Sequence, residues 1–284
     1  MHGDKLIRSR FENGTLEVID PASHHIVSRI PLRGDGDEAY SGQLVLSGGR
    51  LFVDAIFSKR LEVFDLSTME SVGFVPTTDA SGTLCVSKDG NRLVHAGTGL
   101  TIIDPVTLQT RVIPHPPDQR GSAVCAFSQD AKTVHIGIQR PVPVLLSYDL
   151  DGDRWLAPLT LSSNTLAIPC AMVMSDDVTR LYVGLFQGRE LVVVDLRGRV
   201  VLTRHPMPDP LALALTADSL YVVTREPTTQ LSRLDPLSLA SLRAVPLEGN
   251  AQGSVDLLVA GGDLIVDTHR VEDELTWLSL QSLR

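Results

Sequence analysis

Asp267 and His269 stand two residues apart in the stretch Leu264-Ile-Val-Asp-Thr-His269. In an extended strand that spacing puts both side chains on one face. An imidazole beside a carboxylate can work as a general base near neutral pH, with the carboxylate orienting it. Asp256 and Asp54 each sit in an apolar stretch of their own, Asp256-Leu-Leu-Val-Ala260 and Leu51-Phe-Val-Asp-Ala55. A carboxylate in such a stretch is costly unless it is paired, hydrated or bound to a cation. Arg8 and Arg10 are cations that can hold a carboxylate or an oxyanion. The division of labour expected is His269 as base, Asp267 orienting it, and Asp54 with Asp256 as ligands of water or a divalent metal. Arg8, Arg10 and Gln43 then bind substrate.

The elements that must position these residues repeat along the chain. A short apolar strand ends in Asp at Ile19-Asp20, Phe64-Asp65, Ile103-Asp104, Tyr148-Asp149, Val194-Asp195 and Leu234-Asp235, and in degenerate form at Leu278-Ser279. These ends are spaced about 39 to 46 residues apart, the period of a four-stranded propeller blade. Before each lies another strand, as in Leu51-Phe-Val53 and Leu181-Tyr-Val183. In six copies a further apolar strand precedes that one and closes in a turn of Ser, Asp, Gly or Ala. Asp, Ser and Gly suit such turns because they bond their own amides or accept left-handed backbone. The strand after each Asp is polar, as in Arg199-Val-Val-Leu-Thr-Arg204, and reads as the wet outer strand. The first strand of each unit is expected to be innermost and buried on both faces. The chain therefore predicts an all-β, seven-bladed β-propeller of four-stranded antiparallel blades, forming one domain over 1–284. Blade 1 has no inner strand of its own and blade 7 stops where its outer strand should begin, so irregular closure is expected at blades 7/1.

Aligning the blades brings out an asymmetry. At the start of the inner strand the series is Gln43, Thr83, Val124, Ala171, Ala212, Asp256. Near the end of the second strand it is Ser9, Asp54, Ala96, Gly137, Gly184, Val223, Asp267. Polar groups fall in blades 7, 1 and 2, with Thr83 at the edge of blade 3, while blades 4 to 6 are small or apolar. The same asymmetry has a structural reading: blades at a closing ring are wetter, and Asp caps loops through backbone amides. His95 and His135 lie in second strands one position out of register and read as core histidines. Cys85, Cys125 and Cys170 lie on three successive inner strands as small hydrophobes, free rather than bridged. Arg33-Gly-Asp-Gly-Asp-Glu38 lacks the spacing of a calcium loop, and Arg225-Glu-Pro-Thr-Thr229 is a loop that could face the channel mouth.

The residues Ser175 and Asp177, then Arg180-Leu-Tyr-Val-Gly184, then Leu191-Val-Val-Val-Asp195 resemble the YVTN-type propeller repeat, a WD40-like architecture. The resemblance runs over nearly the whole chain and fits worst in blades 1 and 7. It implies a seven-bladed propeller like those of surface-layer proteins, the propeller subunit of quinone amine dehydrogenases, and relatives of lactonases and streptogramin lyases. Hydrolase or lyase chemistry, in some relatives with a divalent metal, is what it implies for activity. The repeat itself is structural and sets no chemistry.

Composition narrows the partners. Lys and Arg number 25 against 34 Asp and Glu, a net charge of −9, and basic runs are absent. That disfavours nucleic acid and anionic membranes. No apolar run approaches the roughly 20 residues of a membrane span. The first residues, Met1-His-Gly-Asp-Lys5, lack an apolar leader core, so a cytoplasmic location is expected. No haem-attachment CxxCH appears, which weakens a redox-subunit role. A small-molecule binder or enzyme working at the channel mouth is the leading expectation. The alternative is a non-catalytic interaction platform, whose hot spots the 5% aromatic content disfavours.

Overall fold

A computed structural model describes residues 5–10, 14–33, 40–56, 59–79, 82–175, 177, 179–226, 228–247, 255–260, 263–267, 275–281 and 283. Seven antiparallel sheets follow one another along the chain, and no helix occurs among the described residues. Blade 1 is β1 (Leu6–Arg10), β2 (Thr15–Asp20) and β3 (His25–Pro31). Blade 2 is β4 (Tyr40–Ser47), β5 (Arg50–Ile56), β6 (Arg60–Asp65) and β7 (Ser71–Pro76). Blade 3 is β8 (Thr83–Val86), β9 (Leu93–Ala96), β10 (Gly99–Ile103) and β11 (Thr110–Pro114). Blade 4 is β12 (Arg120–Phe127), β13 (Thr133–Arg140) and β14 (Val144–Asp149), edged by the short strands β15 (Arg154–Trp155) and β16 (Leu159–Thr160). Blade 5 is β17 (Ile168–Met174), β18 (Arg180–Phe186), β19 (Glu190–Asp195) and β20 (Val200–Pro206). Blade 6 is β21 (Pro210–Leu215), β22 (Leu220–Thr224), β23 (Gln230–Leu234) and β24 (Ser241–Pro246). Blade 7 is β25 (Asp256–Ala260), β26 (Asp263–Asp267) and β27 (Thr276–Ser279). This is the seven-bladed β-propeller fold. Its first and last sheets each have three strands among the described residues.

The chain divides into two compact units. One holds residues 1–117 and 130–132, hence blades 1 to 3; the other holds 118–129 and 133–284, hence blades 4 to 7. Within each unit the core lies in slabs between successive sheets. In the first unit, Leu16 and Leu32 of the blade 1 segment pack with Leu51, Val53 and Phe64 of blade 2. Phe52, Leu61 and Val63 pack with Leu84, Leu93 and Ile103 of blade 3. In the second unit, Leu145 packs with Leu181, Val183 and Val192, and Tyr182 and Val193 with Leu220 and Val222. Odd and even residues of one strand thus serve different slabs, as the two-residue period of a strand requires.

The second strand of each blade, flanked on both sides, is the buried one: β9 and β22 are buried throughout. The inner strand is buried on both faces in β8, as the sequence suggested, but not in every blade. Buried and half-exposed residues alternate in β21, and in β25 Asp256 and Leu258 are exposed. An inner strand has a hydrogen-bonded neighbour on one side only, and its alternate side chains emerge at that edge. Outer strands β3, β11, β20 and β24 are mostly exposed, as their polar residues predict.

The repeated Asp closes each third strand. Asp65 Oδ1 accepts the amides of Ser67 and Thr68, Asp104 Oδ1 those of Val106 and Thr107, and Asp235 Oδ1 those of Leu237 and Ser238. Asp20, Asp149 and Asp195 each hold one such amide. The spacing is that of a side chain mimicking a turn of backbone.

Candidate functional site

Asp54 is the carboxylate the structure singles out. It is the fifth residue of β5, across from Leu61, and only 2% exposed. Two residues on from Phe52, it shares the face packed against blade 3. No hydrogen bond reaches it among the described residues, and burial pushes its carboxyl up to about 7. A group that titrates near neutral pH without a partner is suited to give or take a proton.

His95 answers it from blade 3. It lies two residues on from Leu93, on the face turned to blade 2, and is fully buried. Among the described residues neither ring nitrogen has a hydrogen-bonding partner, and the hydroxyl of Thr101, directly across the sheet, has none either. Burial lowers the imidazole to about 4, against the opposing pull of the Asp79 carboxylate. The ring is therefore neutral at pH 7, with one lone pair and one N–H to offer. It lies against the backbone of Gly82, at the start of blade 3, where a Cβ would come within 2.5 Å of Cε1 and 2.8 Å of the Ala96 carbonyl. Asp79 itself accepts the amide of Thr98 and covers Gly97.

Gln43 joins the two blades. Its Oε1 accepts the Leu84 amide at 2.6 Å and the Thr83 hydroxyl at 3.2 Å, while its amide nitrogen makes no hydrogen bond among the described residues. Asp54, His95, Thr101 and Gln43 thus give the blade 2–blade 3 packing a polar sector within the first unit. Sequence reading found Asp54 and Gln43 but took His95 as core. The signal was a histidine on the same strand face as apolar Leu93, with Leu84 and Thr101 as its cross-strand neighbours.

The other sequence-derived candidates divide. Arg8 is 7% exposed and lies across from Glu17, which is bonded to Arg29 at 3.1 Å. Arg8 therefore belongs to a charged row crossing blade 1. Arg10 pairs with Thr15 at the end of β1. Asp267 is 8% exposed and sits across from Asp256. Asp256 is exposed, so the expectation of a costly buried carboxylate there is corrected: the residue begins an edge strand, where its side chain meets solvent. Asp54 belongs to the first unit, Asp256 and Asp267 to the second. His269 lies outside the described residues. Among those residues no group of three or more His, Cys, Asp or Glu is placed to hold a metal ion.

Blades 5 and 6 carry a polar cluster that the aligned series did not show, because its residues lie in turns. Asp209, 5% exposed, accepts the Gln187 amide at 3.1 Å and an Arg225 Nη2 hydrogen at 3.4 Å. The Arg225 guanidinium lies 4.6 Å from the ring centroid of Phe186. Cys170 donates its thiol to the Pro210 carbonyl at 2.9 Å, and burial pushes it up to about 12, so it is no nucleophile. All three cysteines are free thiols. His135 is a core histidine as expected, with Nδ1 2.9 Å from the buried Ser147 hydroxyl.

The fold and its polar sectors define a β-propeller protein. Among solved structures, hydrazine synthase of Kuenenia stuttgartiensis is similar, with a TM-score of 0.66 and 17% identity over 87% of this chain and 81% of that one. Likeness at that identity is likeness of fold, and that neighbour is an enzyme. No protein-family model and no curated protein matches the chain.

Proposed function

We propose that the protein binds a small polar molecule between the inner ends of blades 2 and 3 and exchanges a proton with it through Asp54. The observation that carries this reading is a buried, unbonded carboxyl poised at about 7. A general acid–base is most effective when it titrates near the working pH. His95, held neutral, supplies a donor and an acceptor that the fold leaves unused. Buried polar groups are rarely left so, and they are tolerated where a ligand or water completes them. Hydrolysis or elimination is the reaction class such a proton exchange serves, with Gln43 as a hydrogen-bonding anchor for substrate. We further read the repeat as YVTN-type. Its Ser-x-Asp turn is supported by the Ser87 to Asp89 and Ser175 to Asp177 hydrogen bonds at 2.5 and 2.6 Å, and by Thr216 to Asp218 at 3.0 Å.

The test is a screen of lactones, esters and β-substituted acids with the parent protein and D54N. The reading expects turnover that rises through pH 7 and falls at least about 100-fold in D54N. Turnover equal in the two proteins, or absent for the parent across the screen, counts against it. A second reading, an interaction platform, draws on the exposed apolar residues of outer strands: Val27, Val112, Leu202 and Leu242 are each about half exposed.

A further inference from the structure

We infer that Arg225 is the anchor of a second site, in the second unit, that takes a small carboxylate. The residue is held at three points, two of them on its guanidinium, before any ligand arrives. The Arg225 amide donates to the Asp209 carbonyl at 3.2 Å, Nη2 meets Asp209 Oδ2 at 3.4 Å, and the planar group lies over Phe186. Asp209 is anchored in turn by the Gln187 amide and by burial, its own side chain being 7% exposed. One of the five guanidinium donors is thus used, and among the described residues no hydrogen bond to the others appears. The side chain keeps 31% of its surface in solvent, so those donors are open to a ligand.

A second observation is independent of the arginine. Thr224, the residue before it, is 2% exposed, and its hydroxyl has no hydrogen-bonding partner among the described residues. It shares a strand face with Leu220 and Val222, whose cluster includes Tyr182 and Val193 of blade 5, the blade that carries Phe186. A buried hydroxyl left unbonded costs stability and calls for an acceptor. Gly184 of blade 5 packs against the ring of Pro210, the residue paired with Thr224.

The chemistry favours a carboxylate. A rigid guanidinium edge matches the two oxygens of a carboxylate, and one of these, or a substituent beside it, can meet the Thr224 hydroxyl. Asp209 already balances the charge of Arg225, and the Arg189–Glu226 pair at 2.6 Å is neutral as a whole. A monoanion therefore suits the place better than a dianionic phosphate.

The probe is acetate, titrated at constant ionic strength and followed by amide chemical shifts, with chloride and inorganic phosphate as controls. The inference expects saturable shifts at Phe186, Gln187 and Arg225 with a dissociation constant of roughly 1 mM. R225Q is expected to weaken binding at least about 10-fold, and T224V to weaken it several-fold while keeping the parent fold. D54N, in the other unit, is expected to bind acetate as the parent does, which separates this site from the one proposed above. No saturation by acetate, equal binding of chloride or phosphate, or unchanged affinity in T224V or in folded R225Q would overturn it. If R225Q does not fold, T224V alone decides.

Discussion

The imidazole of His95 occupies the space that a side chain at residue 82 would need. A Cβ on Gly82 would stand 2.5 Å from His95 Cε1 and 2.8 Å from the carbonyl oxygen of Ala96. The first obstacle is a ring fixed in a packed slab and the second is backbone, so neither yields cheaply. G82A is expected to lose about 1–3 kcal/mol in urea unfolding. Combining it with H95A should recover part of that loss, since the ring is removed and the carbonyl remains. A G82A protein as stable as the parent would show that the ring is free to swing aside.

Asp54 and His95 should oppose each other in the dependence of stability on pH. Asp54 is raised, from 3.8 to about 7, so the folded state holds its proton where the unfolded chain has lost it. Its contribution is complete below pH 3.8 and is lost as pH rises through 7. His95 is lowered, from 6.5 to about 4, so the unfolded chain takes up a proton that the folded state refuses. Its contribution is complete above 6.5 and is lost as pH falls through 4. Each change amounts to roughly 2–4 kcal/mol. Between pH 4 and 6.5 the two slopes nearly cancel. D54N should unmask a stability that falls on acidification, and H95L one that rises. D54N should also be more stable than the parent at pH 8. Parallel profiles in the two variants would refute the assignment.

The turn aspartates set the acid limit. Hydrogen bonds from the Thr107 and Val106 amides hold the Asp104 carboxyl below its ordinary 3.8, and the Ser67 hydroxyl with the Thr68 and Ser67 amides does the same for Asp65. Such groups stabilise above the unfolded value, and the effect is lost as pH falls through the lower, folded one. D104N keeps an oxygen for the amides and removes the charge. Its melting temperature should drop less than that of the parent between pH 4 and pH 2, and D104A should melt lower at every pH.

Cys170 should resist alkylation. Its thiol is raised to about 12 by burial, and Cys85 and Cys125 are buried. Iodoacetamide at pH 8 is expected to modify none of the three in the folded protein and all of them in urea. Rapid native labelling of Cys170 would contradict the raised thiol described for it.

The fold was legible because its signals are local and repeated. Asp65, Asp104 and Asp235 could be read as turn residues because an aspartate bonding amides two and three residues on needs nothing distant. The candidate site was legible only in part. Asp54 stood out as a charge in an apolar strand, and so did Asp256, yet one is buried and the other exposed. The difference lies in strand position, middle against edge, which composition does not encode. His95 was read correctly as buried, but its unbonded ring was not, since what marks it is the lack of a partner across two blades. Arg225 was marked only as part of a loop, and Asp209 was missed, because the two meet through turns, where a strand-by-strand alignment has no column for them.

Apart from β16, which pairs with β14, the strands paired in the described sheets follow one another along the chain, so nearly every ladder forms between segments joined by short connections. Few long loops must close before the first contacts are rewarded. Folding can therefore begin in any blade and spread to its neighbours, and a lesion in one blade should slow the process locally without blocking its start elsewhere.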